Sequence, residues 1–178
     1  GSHHTYEAIV FGPGETGQSR KRNRQPLMTK PFTGELGSVS PVIIVPGKFT
    51  LAEIDFLARH VAAMLVTNAG FNCLATRVIV TSAAWPQRET FLTRLRGVLA
   101  QIPLRAAFYP GAHKRHAAFI EAHPKAERFG NPREGELPWT LIAGLDPGEP
   151  DEMCFTTEAF CGLFCETALK AASVKEFL

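Results

Sequence analysis

The stretch that organises the chain runs from residue 67 to residue 81 and reads Thr-Asn-Ala-Gly-Phe-Asn-Cys-Leu-Ala-Thr-Arg-Val-Ile-Val-Thr. A helical apolar pattern leads into it and a β-branched run leaves it, so a loop carrying Cys73 joins a predicted helix to a predicted strand. A thiol on such a loop can act as a nucleophile, because rigid flanking elements fix the direction of attack while the sulfur stays reachable. The alternative is a small buried cysteine, which is the commoner fate of a lone thiol.

The helix before this loop is predicted by its start, its periodicity and its end. Residues 50–53 read Thr-Leu-Ala-Glu, which is a capping box. Apolar residues then recur at helical spacing at Leu51, Ile54, Ala58, Val61 and Leu65. Gly70 supplies a C-terminal stop. The C-terminal end of a helix carries negative partial charge, so activation of the Cys73 thiol must come from another group.

The other elements alternate between strands and helices. Strands are predicted at residues 6–11, 40–45, 77–81, 139–145 and 160–169, where the last of these patterns also fits a helix and the run at 40–45 is typical of a fully buried strand. Helices are predicted over residues 86–102 and 112–122. The alternation predicts an α/β fold, a layered sheet with flanking helices, in one partial domain over residues 1–178.

Residues 17–24 are polar and carry four positive charges, from Arg20, Lys21, Arg22 and Arg24. They form either a patch that binds an anion or nucleic acid, or a mobile solvated loop. Because no aromatic residues are interleaved and no helical pattern flanks them, the loop is the favoured interpretation. We therefore predict that residues 12–31 form a flexible basic insertion, and that residues 17–24 are the most mobile internal segment.

The composition of the chain argues against several classes of function. The chain has 178 residues, 45% hydrophobic and 20% charged, with a net charge of +2, so nothing drives it strongly to nucleic acid or to a membrane. The four cysteines lack a disulfide spacing, which favours reduced thiols and a cytoplasmic location. Cys161 and Cys165 have no second ligand pair nearby, and His113 and His116 flank basic residues, so no metal site is predicted.

Three short sequence motifs follow one another along the chain, and their order is more informative than any one of them alone. Residues 35–37 read Glu-Leu-Gly and are followed by Ser-Pro and an apolar run; residues 68–73 read Asn-Ala-Gly-Phe-Asn-Cys; residues 157–160 read Thr-Glu-Ala-Phe. In this order they resemble the catalytic domain of the aldehyde dehydrogenase superfamily, whose corresponding segments are Glu-Leu-Gly-Gly-Lys-Ser-Pro, Asn-x-Gly-Gln-x-Cys and Glu-Glu-x-Phe-Gly-Pro. The resemblance covers residues 33 to about 168, and Gly1-Ser2 matches the end of the family's Thr-Gly-Ser turn unless it is a cloning remnant.

The resemblance implies an oxidoreductase that uses NAD or NADP to oxidise a small aldehyde, as a homo-oligomer at full length. Cys73 would be the nucleophile and Glu35 the general base, while Glu158, Phe160 and Gly37 would bind the cofactor. On the residues alone Glu35 is either a base or a surface turn residue. We expect these groups on one side of the sheet, outside the carboxyl ends of its strands.

The sequence also departs from the family. Phe71 stands where the family has Gln, Val39 where it has Lys, and Cys161-Gly162 where it has Gly-Pro. A capping box at residues 173–176, followed by only two residues, is typical of a cut piece. Because the resemblance implies that the family's cofactor-binding half lies outside this piece, we expect the piece to be inactive alone. Two alternatives stay open: a cofactor-free thiol acyl transferase or hydrolase using Cys73 with a histidine, and a non-catalytic relative of the fold.

Overall fold

The computed structural model describes all 178 residues, which divide into two compact units, Gly1–Ser38 and Val39–Leu178. The helices are α1 (His3–Phe11), α2 (Gly14–Arg22), α3 (Leu51–Val66), α4 (Arg88–Gln101), α5 (Ala112–Ala122), α6 (Met153–Thr156) and α7 (Val174–Phe177), with a 3-10 turn at Thr67–Gly70. The strands are β1 (Pro41–Ile43), β2 (Val78–Ser82), β3 (Glu127–Phe129), β4 (Trp139–Leu145) and β5 (Leu163–Leu169). No helix is long and apolar enough to cross a bilayer.

The first unit begins with helix α1, where the sequence analysis wrongly expected a strand at residues 6–11. The Ser2 side chain accepts a hydrogen bond from the Thr5 backbone N–H and so caps the helix. The apolar run alone fits either element, and the deciding signal is the cap, since Ser is among the strongest N-cap residues.

The basic stretch contains a second helix, α2, rather than the expected loop over residues 17–24. Glu15 lies in its first turn and Arg20, Lys21 and Arg22 lie in its last turn, so every charge is placed favourably in the helix dipole. Lys21 also pairs with Glu7 of α1 at 2.6 Å. The predicted flexibility of residues 12–31 and the predicted single domain both stay predictions.

The second unit is built on one five-stranded sheet with the order β1-β2-β5-β4-β3. All neighbours are parallel except β3, which runs antiparallel to β4. Helix α3 packs against α4, and buried side chains of both helices join the core with β2, β4 and β5. The predicted α/β fold, a layered sheet with flanking helices, is therefore confirmed.

Strand β1 differs from its prediction. It is short and lies at the sheet edge, and Pro41 and Ile43 are exposed, so the expectation of a fully buried strand at residues 40–45 was wrong. A β-branched run reports strand propensity, whereas burial depends on which neighbours the fold supplies.

Candidate active site

Cys73 lies in a turn between the 3-10 segment and β2, and it is the only exposed cysteine among four. Its own carbonyl accepts a hydrogen bond of 3.0 Å from the Ser40 hydroxyl. The Ala75 backbone N–H closes the turn on the Asn72 carbonyl at 3.1 Å. The sulfur is thus reachable from solvent while the backbone that carries it is fixed on both sides.

The loop before Cys73 holds an uncommon backbone conformation. Asn68, Ala69 and Gly70 have φ angles of 53°, 57° and 81°, and a non-glycine residue in this region costs about 1–3 kcal/mol. Gly70 is also required by space, because a Cβ there would lie 2.5 Å from the Cys161 carbonyl oxygen. Two asparagine amides support the loop, since Asn68 donates to the Phe71 carbonyl and Asn72 donates to the Thr67 carbonyl.

Arg77 is the central support of this region, and the sequence analysis assigned it no role. Its guanidinium donates to the carbonyls of Gly70, Cys161 (2.6 Å) and Leu163 (3.3 Å), although the residue is only 4% exposed. Burial lowers the pKa of Arg77, while the neighbouring Cys161 and Glu158 raise it. The arginine therefore ties the Cys73 loop to the segment that follows Phe160. One feature of the sequence could have revealed this role: Arg77 is a charged residue directly before a buried β-branched strand, and a charged residue is rarely buried unless it is paired.

Glu158 lies just before that segment, between α6 and β5. Its Oε1 atom is buried and has no hydrogen-bond partner within the chain. The carboxylate is close enough to Arg77 for a favourable electrostatic interaction. A buried acceptor without a donor is costly in a folded protein, so this oxygen is suited to accept a hydrogen bond from a bound hydroxyl group.

Phe160 belongs to an aromatic cluster formed by Phe71, Phe108, Tyr109 and Phe160. The Phe160 ring centroid is 5.8 Å from that of Phe71 and 4.8 Å from that of Tyr109. Arg115 holds the segment by donating to the Ala159 and Phe160 carbonyls at 3.0 and 3.1 Å. Phe71, the departure from the family motif, is only 6% exposed and packs inside this cluster.

The Cys73 loop precedes β2, and Glu158 and Phe160 precede β5, which is the parallel neighbour of β2. Both segments therefore lie at the amino ends of these strands. The expectation that the Cys73 loop and the Glu158–Phe160 segment lie outside the carboxyl ends of the strands was wrong. In open α/β sheets ligands usually bind at loops that leave the carboxyl end of a strand, whereas these two loops lead into a strand.

Glu35 and Gly37 belong to the first unit, where both are exposed. The Glu35 carbonyl accepts a hydrogen bond of 2.6 Å from the Gly1 amino group. Within the second unit the structure joins the Cys73 loop to the segment of Glu158 and Phe160. The catalytic and cofactor roles of all five residues stay predictions.

Comparison with solved structures shows where this fold occurs. Similar ones include the NADP-dependent glyceraldehyde-3-phosphate dehydrogenase of Bacillus halodurans C-125 complexed with NADP (14% identity, TM-score 0.66, 90% of this chain and 34% of that chain covered). The NAD-dependent aldehyde dehydrogenase of Sinorhizobium meliloti matches over 78% of this chain and 29% of that chain (18% identity, TM-score 0.60). A variant of aldehyde dehydrogenase C of Pseudomonas syringae, complexed with NAD+ and octanal, matches over 80% and 31% (15% identity, TM-score 0.64).

The chain therefore has the fold found in part of these aldehyde dehydrogenases. It spans about a third of the length of the similar structures, for example 34% of the Bacillus halodurans enzyme. No protein-family model and no curated protein sequence matches the chain.

Proposed function

We propose that this chain is the catalytic-domain portion of an NAD(P)-dependent enzyme that oxidises an aldehyde through a thioester on Cys73. The observation that carries the proposal is that the loop leading to the only exposed thiol, Cys73, packs against Phe160 through Phe71, with ring centroids 5.8 Å apart. The buried Arg77 holds the same loop to the carbonyl of Cys161, which directly follows Phe160. The shared fold supports it, because the similar structures include NAD- and NADP-dependent aldehyde dehydrogenases.

In the proposed reaction the Cys73 thiolate adds to the aldehyde carbonyl carbon and forms a thiohemiacetal. The Cys73 backbone N–H would donate to the oxyanion, as main-chain donors do in acyl-transfer sites. The exposed Glu35 carboxylate would accept a proton from the water that later attacks the thioester, which releases the carboxylic acid and restores the thiol. The strained loop fixes the thiol before substrate arrives.

The residues of this chain fit a nicotinamide cofactor. The buried, unpartnered Oε1 of Glu158 would accept a hydrogen bond from a ribose hydroxyl, and the Phe160 ring would pack against the nicotinamide. Gly37, which has no side chain, would allow close approach of the backbone. When bound, the cofactor supplies the hydride acceptor.

The proposal extends to the whole protein. We infer that a longer natural protein containing this chain is a cytoplasmic homo-oligomer, and that the 178-residue chain alone neither binds NAD or NADP at micromolar concentration nor turns over aldehyde. The chain's coverage of about a third of the similar enzymes supports this expectation. Titration calorimetry of the isolated chain with both cofactors tests it, and steady turnover by the chain alone would contradict it.

The test of the proposed function uses the longest natural protein that contains this chain. Formation of reduced cofactor is followed with a panel of aldehydes for wild type, Cys73→Ala and Glu35→Gln. We expect turnover by wild type and a loss of about 10³-fold or more in Cys73→Ala, because no other group replaces the nucleophile. Wild type without turnover on any aldehyde would favour the non-catalytic relative, and turnover retained in Cys73→Ala would refute the nucleophile.

The cofactor-free thiol enzyme has less support. The contact between a histidine and a cysteine that the structure shows joins His123 to the buried Cys154 at 4.0 Å. It does not involve Cys73. Ester or thioester hydrolysis by wild type without any nicotinamide cofactor would be the result that favours this alternative.

A further inference from the structure

A second group of chemically active side chains lies where α5 ends and α6 begins. His123, Glu152 and Cys154 each offer one donor atom, and these atoms all lie within 4.8 Å of one another. The His123 Nε2 atom is 2.9 Å from Glu152 Oε1 and 4.0 Å from Cys154 Sγ. The sequence analysis could not find this group, because His123 is 29 residues away from Glu152.

The orientation of the histidine suits a metal ligand. His123 Nδ1 lies 2.9 Å from the Phe119 carbonyl oxygen, so this nitrogen carries the proton and donates it. Nε2 faces Glu152 Oε1 at 2.9 Å, a contact that needs a proton between the two atoms, and a metal ion bound to both would take the place of that proton. A hydrogen bond from the second ring nitrogen to a carbonyl is the usual arrangement behind a metal-bound histidine. The Cys154 backbone N–H, donating to Glu152 Oε1 at 2.7 Å, orients the carboxylate in the same way.

The three side chains of this group differ in burial. Cys154 is 4% exposed, whereas the side chains of His123 and Glu152 are each 13% exposed. A cation can therefore enter past the imidazole and the carboxylate and reach the thiol behind them.

We propose that His123 Nε2, Glu152 and Cys154 Sγ form a zinc site with water in the fourth position. Nitrogen, oxygen and sulfur together are the donor set that zinc takes, at about 2.0–2.3 Å from the ion. Small adjustments of the three side chains bring donors that lie within 4.8 Å of one another to the edges of such a tetrahedron. The Cys154 thiol loses its proton to solvent when the metal–sulfur bond forms.

The location gives the site a role that is independent of aldehyde oxidation. It joins the end of α5 to α6, and α6 leads directly into the segment of Glu158 and Phe160. Zinc would stabilise the native chain by mass action, because the unfolded chain does not hold the three ligands together. We expect zinc to raise the melting temperature and to order the entry to the Glu158–Phe160 segment.

The experiment titrates Co²⁺, as a spectroscopic probe for zinc, into the full chain carrying Cys73→Ser, so that the exposed thiol cannot contribute. The expected result is one equivalent bound, with tetrahedral d–d bands and a thiolate-to-cobalt charge-transfer band that zinc abolishes. Cys154→Ser should remove the charge-transfer band. Binding without that band, or no binding at micromolar concentration, would overturn the proposal.

If Cys154→Ser does not fold, variants of the two partly exposed ligands, Glu152 and His123, still test the proposal. Glu152→Gln and His123→Gln should each weaken cobalt binding by at least about tenfold, since loss of even an outer-shell partner costs about 10–100-fold. His113→Gln, an exposed histidine on the same helix α5, is the matched control and should bind as tightly as the parent. Equal affinity of all three variants would contradict the assigned ligands.

Discussion

The Cys73 loop and the cluster around Cys154 place the same chemical group in opposite surroundings. Around Cys73 the polar side chains of Asn68, Asn72 and Arg77 bind backbone carbonyls, and the exposed thiol is left uncommitted. Around Cys154 the polar side chains approach the thiol itself, which is buried. The backbone around the exposed thiol is held while its sulfur stays accessible, whereas the buried thiol is held by groups around its sulfur, and this contrast agrees with the proposed roles of Cys73 as nucleophile and Cys154 as metal ligand.

The largest effect should come from removing the support of the Cys73 loop. Arg77→Ala leaves three buried carbonyls without their charged donor and should destabilise the chain by about 3–5 kcal/mol. Urea unfolding measures the change. Arg94→Ala is the control, because Arg94 is half exposed and its pair with Asp55 should contribute at most about 1 kcal/mol. A similar small loss for Arg77→Ala would show that the loop needs no such support.

The next largest loss of stability should come from a change in the aromatic cluster beside the Cys73 loop. Phe71→Ala removes a ring that is 6% exposed, and a loss of about 3–4 kcal/mol is expected from such a truncation. Phe71→Gln restores the residue of the family motif, yet it should also destabilise, since an amide would be buried among rings. Phe56→Ala, at a ring that is 65% exposed, is the control for both variants. Wild-type stability of Phe71→Gln would show that the cluster is not structural.

The region around Cys154 depends on α5, which is anchored by His116 through its Nε2 contact of 2.9 Å with the Thr140 hydroxyl. Burial, with smaller effects of Arg128 and His113, lowers the pKa of His116 below its usual value. A depressed folded-state pKa means that the stabilisation is present above the unfolded pKa of about 6.5 and is lost as pH falls below it. Unfolding free energies should therefore fall from pH 7 to pH 5, and less steeply in His116→Gln. Identical slopes would contradict this role.

The smallest effect on stability is expected at Cys73 itself. Cys73→Ser changes an exposed side chain and should alter the unfolding free energy by no more than about 0.5 kcal/mol. Cys154→Ser, at a 4% exposed position, should cost more. Native labelling with iodoacetamide gives the complementary measurement: Cys73 should react first, and the three buried cysteines only on unfolding. Equal labelling of Cys73 and Cys154 would remove the basis of the comparison.

The sequence was sufficient where local signals agree with each other. The capping box and apolar spacing predicted α3, which spans Leu51–Val66 with both capping hydrogen bonds present. The structure also has α5 at the predicted residues and a strand in each of the predicted regions 77–81, 139–145 and 160–169. Such elements are long enough for periodicity to identify them.

It was insufficient where the local pattern is short and where a distant contact decides. Helices α1 and α2 are nine residues each and depend on a cap and on charge placement, and β1 owes its exposure to its edge position. Arg77 meets carbonyls more than 80 residues away, and His123 meets Glu152 across 29 residues. The spacing of residues along one sequence does not indicate such pairs. The Arg77 hydrogen bonds and the group of His123, Glu152 and Cys154 could therefore be found only in the three-dimensional structure.

The role of Cys73 as the nucleophile is tested most directly by trapping the covalent intermediate in the longest natural protein that contains this chain. In Glu35→Gln the step that hydrolyses the thioester should be slowed, so an acyl group should accumulate after addition of aldehyde and oxidised cofactor. Peptide mass spectrometry at mildly acidic pH locates the adduct, with Glu35→Gln plus Cys73→Ala as the matched control. We predict an acyl mass increment on the peptide that carries Cys73, absent from the double variant. An increment on another cysteine, or none while the wild-type protein turns over, would contradict the assignment of Cys73 as the nucleophile.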